Sequence, residues 1–225
     1  MKRHIICLGD SNTHGYCADP SDCADPGLAR FNENERWTQL LQKALGTDYL
    51  VIEEGLSGRT TVFPDPLYEG LDALGYLYPC LKSHEPVDLL IIMLGTNDIK
   101  GRFNMNAFAI GLGMRRLVRA ARAVDCWGPE GKPNILVIAP PSIKEGILST
   151  SVIDEMGTMG TDCVEKSRKL PAHYRRIAEE NGCHFLDANV CGAEFNTVDY
   201  MHLTRRGHAR LADSLGKLIP TLLKP

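Results

Sequence analysis

Apolar residues recur along the chain with two different periods, and these periods predict its elements. Short apolar runs typical of strands cover residues 4–9, 49–54, 87–94, 134–139 and 184–187. Between them, helical spacing of apolar residues marks 35–45, 107–124, 165–180 and 204–223. Pro171 predicts a kink or a later start in the third helix. Thr204 is predicted to cap the fourth helix.

The alternation of strands and helices predicts a parallel sheet that is covered by helices on both faces. We expect a single α/β domain over residues 1–225, with three α/β/α layers and a flavodoxin-like sheet of order 2-1-3-4-5. No linker, charge block or low-complexity tract divides the sequence. A chain of 225 residues can bury a sizeable core without metal or disulfide support.

Composition narrows the classes of function. The chain has 25 Lys+Arg and 28 Asp+Glu, a net charge of −3, which argues against a nucleic-acid partner. No apolar stretch approaches the ~20 residues of a membrane span, and the first apolar run is too short for a signal peptide, so we expect a cytoplasmic protein with no membrane partner. The eight cysteines form no C-x-x-C pair. We expect them to be reduced thiols.

Four polar segments follow predicted strands directly or across a loop. They are GDSN at 9–12, GLSGRT at 55–60, GTND at 95–98 and DYMH at 199–202. In an open α/β sheet the carboxyl ends of the strands share one edge, and ligands bind beyond it. The sequence therefore predicts that these segments meet at one site.

The residue types in these segments suit nucleophilic attack on a carbonyl. Ser11 can attack, His202 can take its proton, and Asp199 lies one turn before His202, where it can orient the imidazole. The oxyanion would be bound by the backbone N–H groups of Ser11 and Gly58 and by the side-chain amide of Asn97. Taken alone, Ser11 is more typical of a helix N-cap after a strand, and the alternative for Asn97 is a cap of the next helix.

Two other kinds of site are weighed and disfavoured. A metal site built from Asp10, Asp98, His202 and His208 lacks the usual spacing, because the two histidines are six residues apart. We therefore expect no metal and no cofactor, and His208 is expected to pack under the last helix. The repeated CADP at 17–20 and 23–26 is typical of two Asp-Pro turns rather than of a metal loop.

The four segments, in this order over nearly the whole chain, resemble the blocks of the SGNH hydrolases, also called GDSL-type esterases. Asn12 stands where the GDSL name expects leucine. The stretches at 53–61, 91–98 and 36–38 are similar to the small arylesterase/acyltransferase branch of this family. The resemblance implies a serine esterase acting on short-chain or aryl esters, with acyl transfer to alcohols or peroxide as a further activity. It also implies a homo-oligomer.

Alternatives to this activity stay open at this point. A deacetylase of small acetylated carbohydrates would use the same triad, and a catalytically silent binding domain would keep the fold alone. Loops 17–35, 63–82 and 142–161 are expected to shape the substrate pocket. The residues predicted to contact a small-molecule ester there are Asn12, Tyr16, Ser57, Phe63, Phe103 and Ser142, for which ordinary loop packing is the alternative.

Overall fold

The computed structural model describes residues 2–128, 130–153 and 159–223. Within these residues the strands are β1 (Arg3–Gly9), β2 (Tyr49–Gly55), β3 (Leu89–Met93), β4 (Ile135–Ala139) and β5 (His184–Asp187). The α-helices are α1 (Ser11–His14), α2 (Trp37–Leu45), α3 (Ala73–Ser83), α4 (Ala107–Arg122), α5 (Cys163–Glu180) and α6 (Arg205–Leu222). Short 3₁₀ turns lie in the loops between them.

The strands form one sheet of order β2-β1-β3-β4-β5, and every neighbouring pair is parallel. Cys7 on β1 lies opposite Glu53 on β2 and Ile91 on β3. This topology confirms the predicted α/β fold and its strand order. All five carboxyl ends therefore point to the same edge of the sheet.

Alternate side chains of the strands enter two separate apolar cores. Ile6 and Ile92 pack on the face that is covered by α3, α4 and α5. Ile5 and Ile91 pack on the opposite face, beneath α2 and α6. Because β1 and β3 are buried on both faces, they appear in the sequence as nearly continuous apolar runs.

Most element boundaries agree with the sequence pattern. β3 begins at Leu89, later than predicted, and the carboxylate of Asp88, just before it, accepts a 2.8 Å hydrogen bond from the backbone N–H of His4. Thr204 caps α6 as predicted, and its hydroxyl accepts from Gly207 N–H at 3.0 Å. α5 begins at Cys163 and continues through Pro171, so the alternative of a later helix start is wrong.

The structure corrects the expectation that 63–82 is an irregular loop, because α3 occupies Ala73–Ser83. The Asp72 carboxylate caps this helix by accepting from the N–H of Gly75. Its buried positions, which include Ala73 and Leu77, follow helical spacing. Gly75 and Pro79 weaken the intrinsic helix preference of the segment and hide that spacing.

The loops at the carboxyl edge differ in how they are held. In loop 17–35, Cys17, Cys23 and Phe31 form a small buried cluster of their own. Loop 142–161 is described except for 154–158, which lie outside the described residues. The cysteines are free thiols. Among the described helices, none combines the length and the apolar character needed to cross a membrane.

Candidate active site

The first part of the site is a tight turn between β1 and α1 that carries Ser11. Asp10 caps α1, because its Oδ1 accepts from Asn12 N–H at 3.0 Å, and Gly15 ends the helix with a φ of 88°. A side chain on Gly9 would collide with the Thr13 hydroxyl, since a Cβ there would lie 2.0 Å from Thr13 Oγ1. The turn therefore needs glycine before Asp10, as the GDSN segment supplies.

The second part is a turn between β5 and α6, residues 196–203, which we call the acid–base turn. Asn196 organises it from within: its Oδ1 accepts from the N–H of Val198 and of Asp199, at 2.8 and 2.9 Å. Its amide also donates to Asp199 Oδ1 and to the carbonyl of His202. Tyr200 adopts a left-handed conformation with a φ of 59°, which tightens the turn.

These two parts bring Ser11, His202 and Asp199 into one chain of hydrogen bonds. His202 Nδ1 lies 2.6 Å from Asp199 Oδ2, and Nε2 lies 2.8 Å from Ser11 Oγ. All three residues are buried. The Tyr16 ring packs edge-on against the imidazole, with ring centroids 4.7 Å apart. The imidazole therefore stands between a hydroxyl and a carboxylate with little freedom to turn.

The ionisation of Asp199 fits this arrangement. Burial raises the pKa of the Asp199 carboxyl, but the hydrogen bond and charge of His202 and the N–H groups of Met201 and His202 outweigh it and lower the pKa to about 2. The carboxylate therefore stays charged at neutral pH. A charged Oδ2 fixes the proton of the neutral imidazole on Nδ1 and leaves Nε2 free to accept the hydroxyl proton of Ser11.

The loops after β2 and β3 bring the predicted oxyanion donors to the same edge. Gly58 has a φ of 87°, which glycine adopts without strain. The buried Asn97 uses one amide N–H to donate to the carbonyl of Arg59 at 3.1 Å. Asp98 joins the same two loops by accepting from Thr61 N–H at 3.0 Å. The second N–H of the Asn97 amide is the one that an oxyanion would use.

Arg59 is a supporting residue that the sequence pattern did not single out. It is buried, and its guanidinium donates to the carbonyl of Gly9, the last residue of β1, and to that of Glu54, the next-to-last residue of β2. It also lies over the Tyr76 ring, 5.1 Å from the ring centroid. Arg59 thereby ties together the ends of two strands. A buried arginine has no sequence signature, whereas Asn196, three residues before Asp199, could have been read as an Asx turn.

Two further carboxylates lie buried beneath the site. Burial raises the pKa of Asp10 to about 6, against the hydrogen bond from Asn12 and the charges of His202, Lys100 and Arg59. Burial likewise raises the pKa of Asp98 to about 6, against its hydrogen bonds from Thr61. Asp10 Oδ2 is buried without a hydrogen-bond partner. These carboxylates therefore cost folding energy when they are charged.

His208, a member of the disfavoured metal set, lies on α6 and is fully buried. Its Nδ1 accepts from Trp37 N–H at 3.3 Å. Burial and the charges of His202 and Arg36 lower its pKa to about 3, so the ring is neutral. Within the described ranges, no three His, Cys, Asp or Glu side chains gather as metal ligands would.

The structure spreads the six predicted substrate contacts over several places. Tyr16 lies against the imidazole of His202, and Ser57 is exposed beside Gly58. Phe63 packs toward α4, where a Cβ on Gly113 would lie 2.9 Å from its ring. Asn12 makes hydrogen bonds to the acid–base turn. Phe103 lies against the guanidinium of Arg102, and the N–H of Ser142 donates to the side chain of Asn189. Their contacts with a substrate stay predictions.

Comparisons with known proteins find relatives that are similar in sequence and in fold. The family model of the GDSL-like lipase/acylhydrolase family matches residues 7–210. A carbohydrate acetylesterase family member from Sinorhizobium meliloti is 34% identical, with a TM-score of 0.85 over 98% of this chain and 99% of that one. An aryl esterase from M. smegmatis is 33% identical, with a TM-score of 0.83 over 98% and 100% of the two chains.

Among curated proteins, none matches the chain. The family match nevertheless spans all four sequence blocks, from the end of β1 to α6. Both structural relatives exceed 30% identity over almost their full lengths. The chain therefore belongs to the GDSL-like lipase/acylhydrolase family.

Proposed function

We propose that this protein is a serine esterase that hydrolyses short-chain or aryl carboxylic esters through an acyl-enzyme on Ser11. The observation that carries the proposal is the unbroken chain of hydrogen bonds from the Ser11 hydroxyl through His202 to the Asp199 carboxylate. Membership of the family and the similarity to an aryl esterase from M. smegmatis support the same activity.

Acylation begins when Ser11 Oγ attacks the ester carbonyl carbon and His202 Nε2 takes the hydroxyl proton. The imidazolium is stabilised by the charged Asp199. His202 then gives the proton to the leaving alcohol or phenol oxygen as the carbon–oxygen bond breaks. The products of this half-reaction are the free alcohol and an ester between Ser11 and the acyl group.

Deacylation repeats the sequence with water. His202 Nε2 takes one proton of the water as its oxygen attacks the acyl carbon, and the same proton returns to Ser11 Oγ when the carboxylic acid leaves. In both halves the negative oxygen of the tetrahedral intermediate would be held by Ser11 N–H, Gly58 N–H and the Asn97 amide. One such donor typically stabilises the transition state by ~3–4 kcal/mol.

The direct test is hydrolysis of p-nitrophenyl esters of increasing acyl length by the wild type and by Ser11→Ala. We expect fast release of p-nitrophenol from the acetate, a decline with chain length, and loss of turnover in Ser11→Ala. A matched control is Ser214→Ala, on α6 away from the triad, which we expect to behave as wild type. Undiminished turnover in Ser11→Ala would contradict the assignment of Ser11 as the nucleophile.

A second function is favoured by the similarity to a carbohydrate acetylesterase family member. The same triad would then release acetate from small acetylated carbohydrates. Acetate release from acetylated oligosaccharides, compared with release from aryl acetate at equal concentration, separates the two functions. A preference of tenfold or more for the carbohydrate would make deacetylation the main activity.

Acyl transfer and self-association rest on the resemblance to the arylesterase/acyltransferase branch. An alcohol or peroxide would replace water in deacylation, and product analysis under high alcohol would then show a new ester besides the free acid. The homo-oligomer is tested by light scattering of the purified protein. Free acid alone, or a monomer in solution, would contradict these two proposals and leave the esterase proposal standing.

A further inference from the structure

The turn between β1 and α1 that carries Ser11, which we call the nucleophile turn, is joined to the acid–base turn by one side chain, that of Asn12. Its Oδ1 accepts from Leu203 N–H at 2.9 Å, and its Nδ2 donates to the carbonyl of Met201 at 3.1 Å. Met201 and Leu203 are the residues on either side of His202. The two hydrogen bonds therefore hold the backbone on both sides of His202. Asn12 and Leu203 are 191 positions apart in the sequence.

The backbone of Asn12 is held by two hydrogen bonds, one at its N–H and one at its carbonyl. Its N–H donates to Asp10 Oδ1 at 3.0 Å, and its carbonyl accepts from the indole Nε1 of Trp37 at 3.1 Å. Trp37 is fully buried in the core beneath α2 and α6, and the Asn12 side chain is buried too. The amide thus extends from a fixed support rather than from a mobile loop.

Hydrogen bonds within the acid–base turn hold its shape, but its position relative to Ser11 depends on contacts outside the turn. Asn196 and Asp199 hold its shape through hydrogen bonds within the turn. Those bonds fix His202 relative to Asp199, and they do not fix it relative to Ser11. Asn12 follows Ser11 in the chain, and its side-chain amide holds the acid–base turn in place relative to Ser11.

The Asn12 amide carries the acceptor and the donor that these two partners need. Leucine, which the GDSL name places here, offers neither a donor nor an acceptor and would leave the buried N–H of Leu203 and the part-buried carbonyl of Met201 without this partner. Aspartate could still accept from Leu203 N–H, but its other oxygen would face the carbonyl oxygen of Met201. Asn12 is therefore chemically matched to this pair of backbone groups.

We infer that Asn12 is a positioning residue that sets the distance and angle between His202 Nε2 and Ser11 Oγ. The inference rests on the proposed function. It gives Asn12 a role within the protein in place of a substrate contact, because both ends of its amide are engaged with Met201 and Leu203. Displacements of about 1 Å in such a geometry can lower the rate about 100-fold.

The test compares Asn12→Leu and Asn12→Asp with the wild type, using Asn134→Leu as a matched control. Asn134 also donates from its amide to a backbone carbonyl, that of Asp88, but at the amino edge of the sheet. We expect kcat for p-nitrophenyl acetate and the rate of Ser11 labelling by a fluorophosphonate to fall about 10- to 100-fold in both Asn12 variants. KM should stay within about twofold, and Asn134→Leu should keep wild-type rates.

A spectroscopic readout separates positioning from unfolding. The downfield NMR resonance of the proton between His202 Nδ1 and Asp199 should persist in the Asn12 variants, because that bond lies within the acid–base turn. Loss of Ser11 reactivity with this resonance retained is the expected result. Asn12→Asp keeps the size of the side chain, so it serves as the folded variant if Asn12→Leu is unstable.

Wild-type Ser11 reactivity in Asn12→Leu or Asn12→Asp would overturn the inference and leave the esterase proposal intact. Equal losses in the Asn12 variants and Asn134→Leu would also overturn it, since the effect would then be general destabilisation. An unreactive wild-type Ser11 would instead overturn the proposed function and the inference that rests on it.

Discussion

At the residue scale, three buried carboxyl groups near the site differ in pKa because they have different hydrogen-bond partners and neighbouring charges. Asp199 receives the imidazole and two backbone N–H donors, and its pKa falls to about 2. Asp10 and Asp98 are buried more deeply, and desolvation prevails over their hydrogen bonds and raises their pKa values to about 6. The site therefore places a firmly charged carboxylate where the proposed mechanism needs it and two easily protonated ones beneath it.

Asp199→Asn should lower kcat by about 10³- to 10⁴-fold with little change in KM. The amide cannot act as the charged acceptor for Nδ1–H, so the imidazole loses both its preferred tautomer and the stabilisation of its charged form. Steady-state kinetics on p-nitrophenyl acetate measures the effect. Asp213→Asn, which removes a carboxylate from an exposed pair with Lys217, is the control and should retain full activity.

The raised pKa of Asp10 predicts a stability that falls as pH rises. The folded state holds this proton up to about 6, whereas the unfolded state releases it near 3.8, so the folded state binds more protons between these values. Asp98 contributes in the same direction. Asp199 contributes in the opposite direction and at lower pH, because its pKa is lowered: its stabilisation is lost as pH falls from 3.8 towards about 2.

Urea unfolding at a series of pH values tests Asp10 directly. In the wild type the free energy of unfolding should decrease from acid to neutral pH. In Asp10→Asn this decrease should be smaller by up to roughly 3 kcal/mol, since one pKa unit corresponds to about 1.4 kcal/mol. The exposed variant Asp213→Asn should leave the profile unchanged. An Asp10→Asn profile that parallels the wild type would show that Asp10 does not carry a raised pKa.

At the element scale, the site depends on how closely β2 approaches α1. Gly55 ends β2, and a Cβ there would lie 2.2 Å from the backbone nitrogen of His14. No side chain can occupy that space unless the turn that carries Ser11 moves. The glycine at the end of β2 therefore limits where the turn that carries Ser11 can lie relative to the neighbouring strand.

Gly55→Ala should destabilise the fold by about 1–3 kcal/mol and reduce esterase activity as well, because the clash falls on backbone atoms next to the nucleophile turn. Thermal or urea unfolding, together with kcat, measures both effects. Gly27→Ala is the matched control: the nearest atom to its Cβ would be an Asp25 carboxylate oxygen at 3.8 Å. Unchanged stability in Gly55→Ala would contradict the close approach.

The elements that the sequence predicts are those with a strong local pattern. β1 and β3 are buried on both faces, so their residues form apolar runs that can be recognised without a structure. α3 was missed because Gly75 and Pro79 interrupt an otherwise helical spacing. The order of the strands is predicted from the flavodoxin-like arrangement that five strands alternating with helices suit, and the structure confirms it.

At the scale of the whole molecule, the sequence indicates which segments meet but not how they are fastened together. Ser11 and His202 are 191 positions apart, and their 2.8 Å contact depends on the sheet, on α6 and on the Asn12 amide together. The same is true of Arg59, whose buried guanidinium joins the ends of β1 and β2. Such long-range polar contacts have no period or spacing in the sequence, so only the folded chain shows them.

The most direct test of the central claim is rapid mixing of the protein with p-nitrophenyl acetate, followed by acid quenching and peptide mass spectrometry. The proposed mechanism predicts a burst of p-nitrophenol close to one equivalent per active site and one acetyl group on the peptide that carries Ser11. Neither should appear in Ser11→Ala. Turnover in the wild type with the acetyl group on another residue, or a burst that persists in Ser11→Ala, would contradict it.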